Sequence, residues 1–303
     1  MTQLAPAPAP CTEAAQVNIS FAELGAWRII VLGIVQGITE LLPISSTAHL
    51  RIIPSLLGWP DPGSAFSAAM QLASLLAVVT FLGGDVLRIT GRAADAARRG
   101  DWRDHSLRIT AGILLGTLPI AVAGLALRRT LEGCASPLRG IAVIGWACIV
   151  MGVLLALAER YGQRDRGHAK RLLGDLTLRD CIAVGVAQAF ALVPGVSRSG
   201  STLTAGLALG MERATAAWFS FLLGLPAIVL AGAVELLSLR KAGLHAGGWG
   251  LLILGLASGS ASAYLALWAL VRYLKEHSSW IFVWYRIALG VLLIWGAARG
   301  KFH

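Results

Sequence analysis

The stretch from Gly33 to Leu50, GIVQGITELLPISSTAHL, sets an amide, a carboxylate, hydroxyls and an imidazole inside otherwise apolar sequence. Gln36 and Glu40 are four apart and share one face of a helix. Pro43 ends or kinks that helix, because it has no N–H and clashes with the carbonyl four residues back. Ser45, Ser46, Thr47 and His49 follow at once, where a broken helix presents side chains and unsatisfied N–H groups at one point. A carboxylate at hydrocarbon depth costs several kcal/mol unless it faces a partner, a cavity or water, so Glu40 marks a polar pocket.

A second constellation is PGVSRSGST, Pro194 to Thr202. Gly195 and Gly200 let the backbone approach a ligand closely. The N–H groups of a turn opening into a helix at about Thr202 make an anion nest. Arg198 supplies a planar five-donor fork suited to phosphate oxygens. If Arg198 served only to neutralise Glu40, the five hydroxyls of Ser45, Ser46, Ser197, Ser199 and Ser201 around two kinks would be unexplained. There is no GxxxxGK[ST] and hence no P-loop. An anion cradle, a carboxylate, a candidate nucleophilic hydroxyl and a histidine together point to a phosphoryl group handled in a lipid-facing cleft.

The elements that must position these residues are helices in a membrane. The 303 residues are 56% hydrophobic and 14% charged, with a mean hydropathy of +0.70. A soluble domain carries about 25% charge. The apolar segments have helical length and no ten-residue strand repeat, which excludes a barrel. The net charge of +10 sits mostly in short connections, where it orients a membrane protein, so it does not call for nucleic acid. Cys11, Cys134, Cys148 and Cys181 have no metal-like spacing and are expected to pack as small hydrophobes.

Residues 1–20 read as a flexible tail, 21–298 as one membrane domain and 299–303 as a second tail. Residues 21–58 are too broken to cross about 30 Å and are expected to form a re-entrant hairpin, cut again at Pro54. Spans are expected at 65–87, 109–127 and 141–158, with polar connections at 88–108 and 160–179. The pattern then starts over: a broken segment at 185–209 precedes spans at 215–237, 249–271 and 280–295. GIVQ at 33–36 matches GVAQ at 185–188, and Leu42, Pro43 and Ser46 have counterparts in Val193, Pro194 and Ser197, an offset of about 151.

The expected fold is therefore an all-α polytopic membrane protein of two repeats, 21–159 and 180–298, each a re-entrant broken-helix hairpin plus three transmembrane helices. Three crossings per repeat invert the second relative to the first. With the two large connections cytoplasmic, 14 Lys or Arg residues lie inside against seven outside, and both termini lie outside. The two motifs should meet near the membrane centre.

The pair of motifs resembles the undecaprenyl-diphosphate phosphatase family of the bacitracin-resistance type, in which [E/Q]xxxE followed by PxSSTxH is paired with PGxSRSGxT. The likeness spans 21–298. It implies hydrolysis of undecaprenyl diphosphate to the monophosphate and inorganic phosphate at the outer face of the bacterial cytoplasmic membrane. That reaction recycles the lipid carrier for cell-wall synthesis. It also implies a divalent cation, Mg²⁺ or Ca²⁺. The family's catalytic glutamate, serine, histidine and arginine fall on Glu40, Ser46, His49 and Arg198. Gln36 stands where the family also permits an acid, and so cannot give a metal a negative ligand, which leaves Glu40 and the diphosphate to do so. Gln36, Ser45, Thr47, Gly195, Ser197, Ser199, Gly200 and Thr202 are the expected substrate-binding set.

In the expected mechanism Arg198 and the 195–202 backbone hold the phosphoryl group, and Ser46 attacks or positions the nucleophile. His49, three residues on, takes or returns its proton, or Glu40 is the base. A phosphoserine and direct attack by water both remain open. The expected partners are a polyprenyl diphosphate and the membrane, with a homodimer as a further option and nucleic acid excluded. The rival function is a lipid-phosphate transporter or flippase, since inverted repeats with broken helices serve alternating access.

Overall fold

The computed structural model describes residues 19–127, 138, 140–164 and 170–300. The tail to residue 18, Cys11 and Cys134, and several of the charges counted above (Arg128, Arg129, Arg139, Arg166 and Lys301) lie outside the described residues. The described helices are α1 (Ala26–Leu41), α2 (Ser46–Leu57), α3 (Ser64–Ala69), α4 (Gln71–Arg98), α5 (His105–Ala126) and α6 (Ile141–Arg164). They continue with α7 (Leu178–Ala189), α8 (Arg198–Ala208), α9 (Arg213–Lys241), α10 (Ala246–Glu276) and α11 (Trp280–Ala298).

Six helical runs are long and apolar enough to cross a membrane: Ala65–Arg98, which joins α3 to α4, then α5, α6, α9, α10 and α11. Their outward faces carry bare hydrocarbon, such as Leu114, Leu118, Val122 and Leu125 on α5, a pattern water would penalise and lipid does not. The shorter α1, α2, α7 and α8 have 16, 12, 12 and 11 residues. At 1.5 Å per residue none reaches about 30 Å.

Close approach of small residues holds the helices together, as expected where lipid is as apolar as any side chain. α1 lies on α10 through Gly33 and Gly37 against Gly255, Gly259 and Ser262. α7 lies on α5 through Gly185 and Cys181 against Gly116 and Gly112, and Gly145 of α6 meets Gly290 of α11. Cys148 and Cys181 are fully buried, as expected of small hydrophobes.

Several boundaries differ from those expected. α4 continues ten residues past Arg88, because GRAADAAR is rich in helix formers and Asp85–Arg88 and Asp95–Arg98 pair one turn apart, so the polar connection shrinks to 99–104. Pro54 does not cut α2. It sits in the last turn, whose end is set by Gly58 in the left-handed conformation at φ 65°. α8 opens at Arg198, four residues before Thr202, because the Ser197 side chain caps it.

Candidate active site

α1 ends as expected just ahead of Pro43: Leu42 is extended, with ψ 143°. Ser45 then takes φ 73° and its Oγ accepts the N–H of Ala48 at 3.4 Å, which starts α2. The second break repeats this local geometry. After Val193 the chain turns at Gly195, Ser197 takes φ 70°, and its Oγ accepts the N–H of Gly200 at 3.2 Å. Ser45 and Ser197 are the two non-glycine residues at positive φ among the described residues. Ser197 therefore corresponds to Ser45, not to Ser46 as the alignment of the motifs suggested, and the offset at the helix starts is the same as that of GIVQ and GVAQ. The residue equivalent to Ser46, first in its helix, is Arg198.

These two first residues meet at one carboxylate. Arg198 Nη2 donates to Glu40 Oε1 at 3.0 Å, and the Ser46 hydroxyl donates to Glu40 Oε2 at 2.6 Å. Gln36 Nε2 donates to the same Oε2 at 2.9 Å, realising the four-residue spacing. The other arm of Arg198, Nη1, donates to the Gly224 carbonyl of α9 at 3.0 Å. The Ser199 hydroxyl is shared between the carbonyls of Glu40 and Leu42, at 3.1 and 3.0 Å, and so ties α8 to the end of α1. Glu40 is 7% exposed, and at this depth its charge is tolerable because three donors face it, one of them a guanidinium. A cavity of about 10 Å³, the room of roughly one water, lies behind the pair, lined by Arg198, Ser199, Ser220 and Phe221 among others.

Of the expected substrate-binding residues, Thr47 is exposed and Ser197 is partly exposed, as are Ser46 and Arg198 of the catalytic set. Others are committed inward. Thr202 donates back to the Arg198 carbonyl at 2.8 Å and pairs with Ser220. Ser45 is buried, and the Gly195 carbonyl is turned to a side chain of α11. His49 does share α2 with Ser46, but no hydrogen bond joins them; its Nδ1 bonds the Ser45 carbonyl at 2.7 Å and its Nε2 the hydroxyl of Tyr285 at 2.6 Å.

Tyr285 and Arg286 are the site residues that sequence reasoning missed. Arg286 is fully buried. It donates to Pro43 O at 3.1 Å, Gly195 O at 2.8 Å, Val196 O at 2.9 Å and Cys148 O at 3.4 Å, and so clasps both breaks. The available signal was an arginine in the middle of the apolar run 280–298, which rarely occurs without a function.

The family model described as "Bacitracin resistance protein BacA" matches residues 29–292. A protein of Mesorhizobium japonicum named "Undecaprenyl-diphosphatase 2" is 56% identical over 265 residues, covering 88% of this chain and 98% of its own. An "Undecaprenyl-diphosphatase" of Gloeobacter violaceus is 50% identical over 278 residues, 92% and 94% of the two chains, and one of Trichormus variabilis is 46% identical over 279 residues, 92% and 86%. Matches of this extent include both breaks and every helix that positions them, and on that ground the chain belongs to the bacitracin resistance protein BacA family.

Proposed function

We propose that this protein hydrolyses undecaprenyl diphosphate to undecaprenyl phosphate and inorganic phosphate, recycling the lipid carrier for cell-wall synthesis and conferring bacitracin resistance. The names of the relatives support the substrate. The observation that carries the chemistry is the Glu40 carboxylate, joined at once to the Ser46 hydroxyl and to Arg198. Ser46 already points its proton at Oε2, so Glu40 is the base that withdraws it, either from Ser46 or from a water that Ser46 orients. Arg198 presents the donor for the phosphoryl oxygens. A phosphate arriving at Nη2 competes with Glu40 Oε1 for that donor, which leaves the carboxylate freer to accept the proton.

A divalent cation, Mg²⁺ or Ca²⁺, as the family resemblance implies, would meet a partial oxygen site. Gln36 Oε1 is buried without a hydrogen-bond partner, on the amide that bonds Glu40. Among the described residues no three His, Cys, Asp or Glu side chains gather at one point. Glu40 and Gln36 would hold the ion, with the diphosphate completing its shell, and its contribution there would be to neutralise phosphate charge in a partly dry site.

The arrangement of the helices supports a pair of inverted repeats. α1 packs on α10 as α7 packs on α5, and each break carries the same positive-φ serine cap. The short α1–α2 and α7–α8 pairs are then re-entrant hairpins that meet at Glu40 and Arg198. With the arginine-rich connections cytoplasmic, the site opens to the outer face of the membrane.

The test is phosphate release by purified protein in detergent from a long-chain polyprenyl diphosphate, with and without Mg²⁺ or Ca²⁺. Release should require the cation, and Ser46→Ala and Glu40→Gln should each lower the rate about 100-fold or more. Wild-type protein that binds the lipid and releases no phosphate with either cation would be a carrier and not a phosphatase. Equal rates in wild type and Ser46→Ala would keep the phosphatase and remove Ser46 as nucleophile.

A further inference from the structure

His49 is 6% exposed and has no free ring nitrogen. A carbonyl only accepts, so the 2.7 Å contact to the Ser45 carbonyl places the proton of the neutral ring on Nδ1. Nε2 is then a lone pair, and the Tyr285 hydroxyl, 2.6 Å away, is the donor to it. The two rings are stacked, with centroids 5.7 Å apart and planes 7° from parallel. The Ser46 hydroxyl meanwhile gives its proton to Glu40, so in this geometry His49 is not the base on Ser46.

Tyr285 is well placed to hold this arrangement. Its neighbour Arg286 is fixed by carbonyls of both breaks, so Tyr285 is held in register with both of them. It is also 44% exposed, whereas the imidazole behind it is not. We infer that Tyr285 is a positioning residue for His49, and that its hydroxyl carries proton exchange between the buried imidazole and a phosphate bound at the exposed side of the phenol. The inference rests on the phosphatase reading above.

The relay balances without a further reactant. A proton arriving at the exposed side of Tyr285 is taken by its oxygen as that oxygen passes its own proton to Nε2, leaving a neutral phenol and an imidazolium. The imidazolium then donates from Nδ1 to Ser45 and from Nε2 to Tyr285. Running the same two transfers backwards delivers one proton to an oxygen of the departing phosphate. Glu40 serves the nucleophile and the His49–Tyr285 pair serves the other end of the reaction, a division of labour that one shared base would not need.

Tyr285→Phe keeps the ring, the stack and the packing and removes only the hydroxyl, so a purely structural tyrosine would tolerate it. We expect kcat to fall about tenfold or more with KM within about twofold of wild type, His49→Ala to lose a similar amount, and the double variant to be no worse than the poorer single. In protein carrying ¹⁵N-labelled histidine, the His49 resonances should show the Nδ1–H tautomer, and the Nε2 signal should move in Tyr285→Phe. Wild-type kcat in Tyr285→Phe, losses that multiply in the double variant, or an Nε2–H tautomer would each overturn the inference. Absence of phosphate release by the wild type would instead overturn the phosphatase reading, while the His49 resonances would still decide whether Tyr285 sets the tautomer.

Discussion

Substituting Gly37 by alanine tests whether the placement of Glu40 depends on the contact between α1 and α10. A Cβ at Gly37 would stand 2.1 Å from the Gly259 carbonyl oxygen, 2.1 Å from Ser262 Oγ and 2.8 Å from the Ala263 nitrogen. The serine can rotate away, but the other two atoms are main chain of α10. Restoring the 3.4 Å of ordinary contact therefore opens the helix pair by about 1.3 Å. Alanine gains about 1 kcal/mol in helix propensity over glycine, while overpacking costs about 1–3 kcal/mol, so packing decides the sign. Glu40 lies one turn further along α1 and moves with it, whereas Nη1 anchors Arg198 to Gly224 on α9, against the pull of the Ser199 tie to α1. The 3.0 Å contact between Arg198 and Glu40 would be displaced by about 1 Å and lose its alignment. A misplacement of about 1 Å at a reacting group costs about 100-fold. We therefore expect Gly37→Ala to assemble in the membrane and release phosphate about 100-fold more slowly. Gly83→Ala on α4, where a Cβ meets nothing within 4 Å, should match wild type. Phosphate release and size-exclusion profiles on matched preparations check both. Wild-type turnover in Gly37→Ala would refute the claim that this contact sets the position of the carboxylate.

Arg198→Lys keeps the charge but cannot reach Glu40 and the Gly224 carbonyl with two arms, so turnover should fall about 100-fold with the protein still folded. Near-normal activity would make Arg198 only a counter-charge for Glu40. Arg286→Met removes the donor to four carbonyls. At about 1 kcal/mol each, the loss should lower the thermal midpoint in detergent markedly and abolish turnover, and an unchanged melting curve would refute its clasping role. Single cysteines at Asp101 and Gly174, both exposed, should resist an impermeant thiol reagent on intact cells and react after permeabilisation; ready labelling of intact cells would reverse the proposed orientation.

The lipid environment of the fold, the six apolar runs and the two breaks are legible in composition and local pattern. Each of these follows from local chemistry: hydropathy along a helix, the missing N–H of Pro43, and serines that cap the next helix. The sequence also led to the expectation that the motifs carrying Glu40 and Arg198 meet, since paired broken helices of inverted repeats converge near the membrane centre. Some boundaries failed because a helix can outrun the apolar sequence, as α4 does through GRAADAAR, and because Ser197 starts α8 as soon as its side chain can take the Gly200 N–H. Long-range packing sets which oxygen of Glu40 meets Arg198, that the Nε2 of His49 is taken by Tyr285, and that Arg286 closes both breaks. The contacts of Arg198 with Glu40, Tyr285 with His49 and Arg286 with Pro43 join residues 158, 236 and 243 positions apart. No local propensity encodes them, because they exist only once glycines on α1, α5 and α6 let whole helices approach to main-chain contact and bring three distant segments to one point.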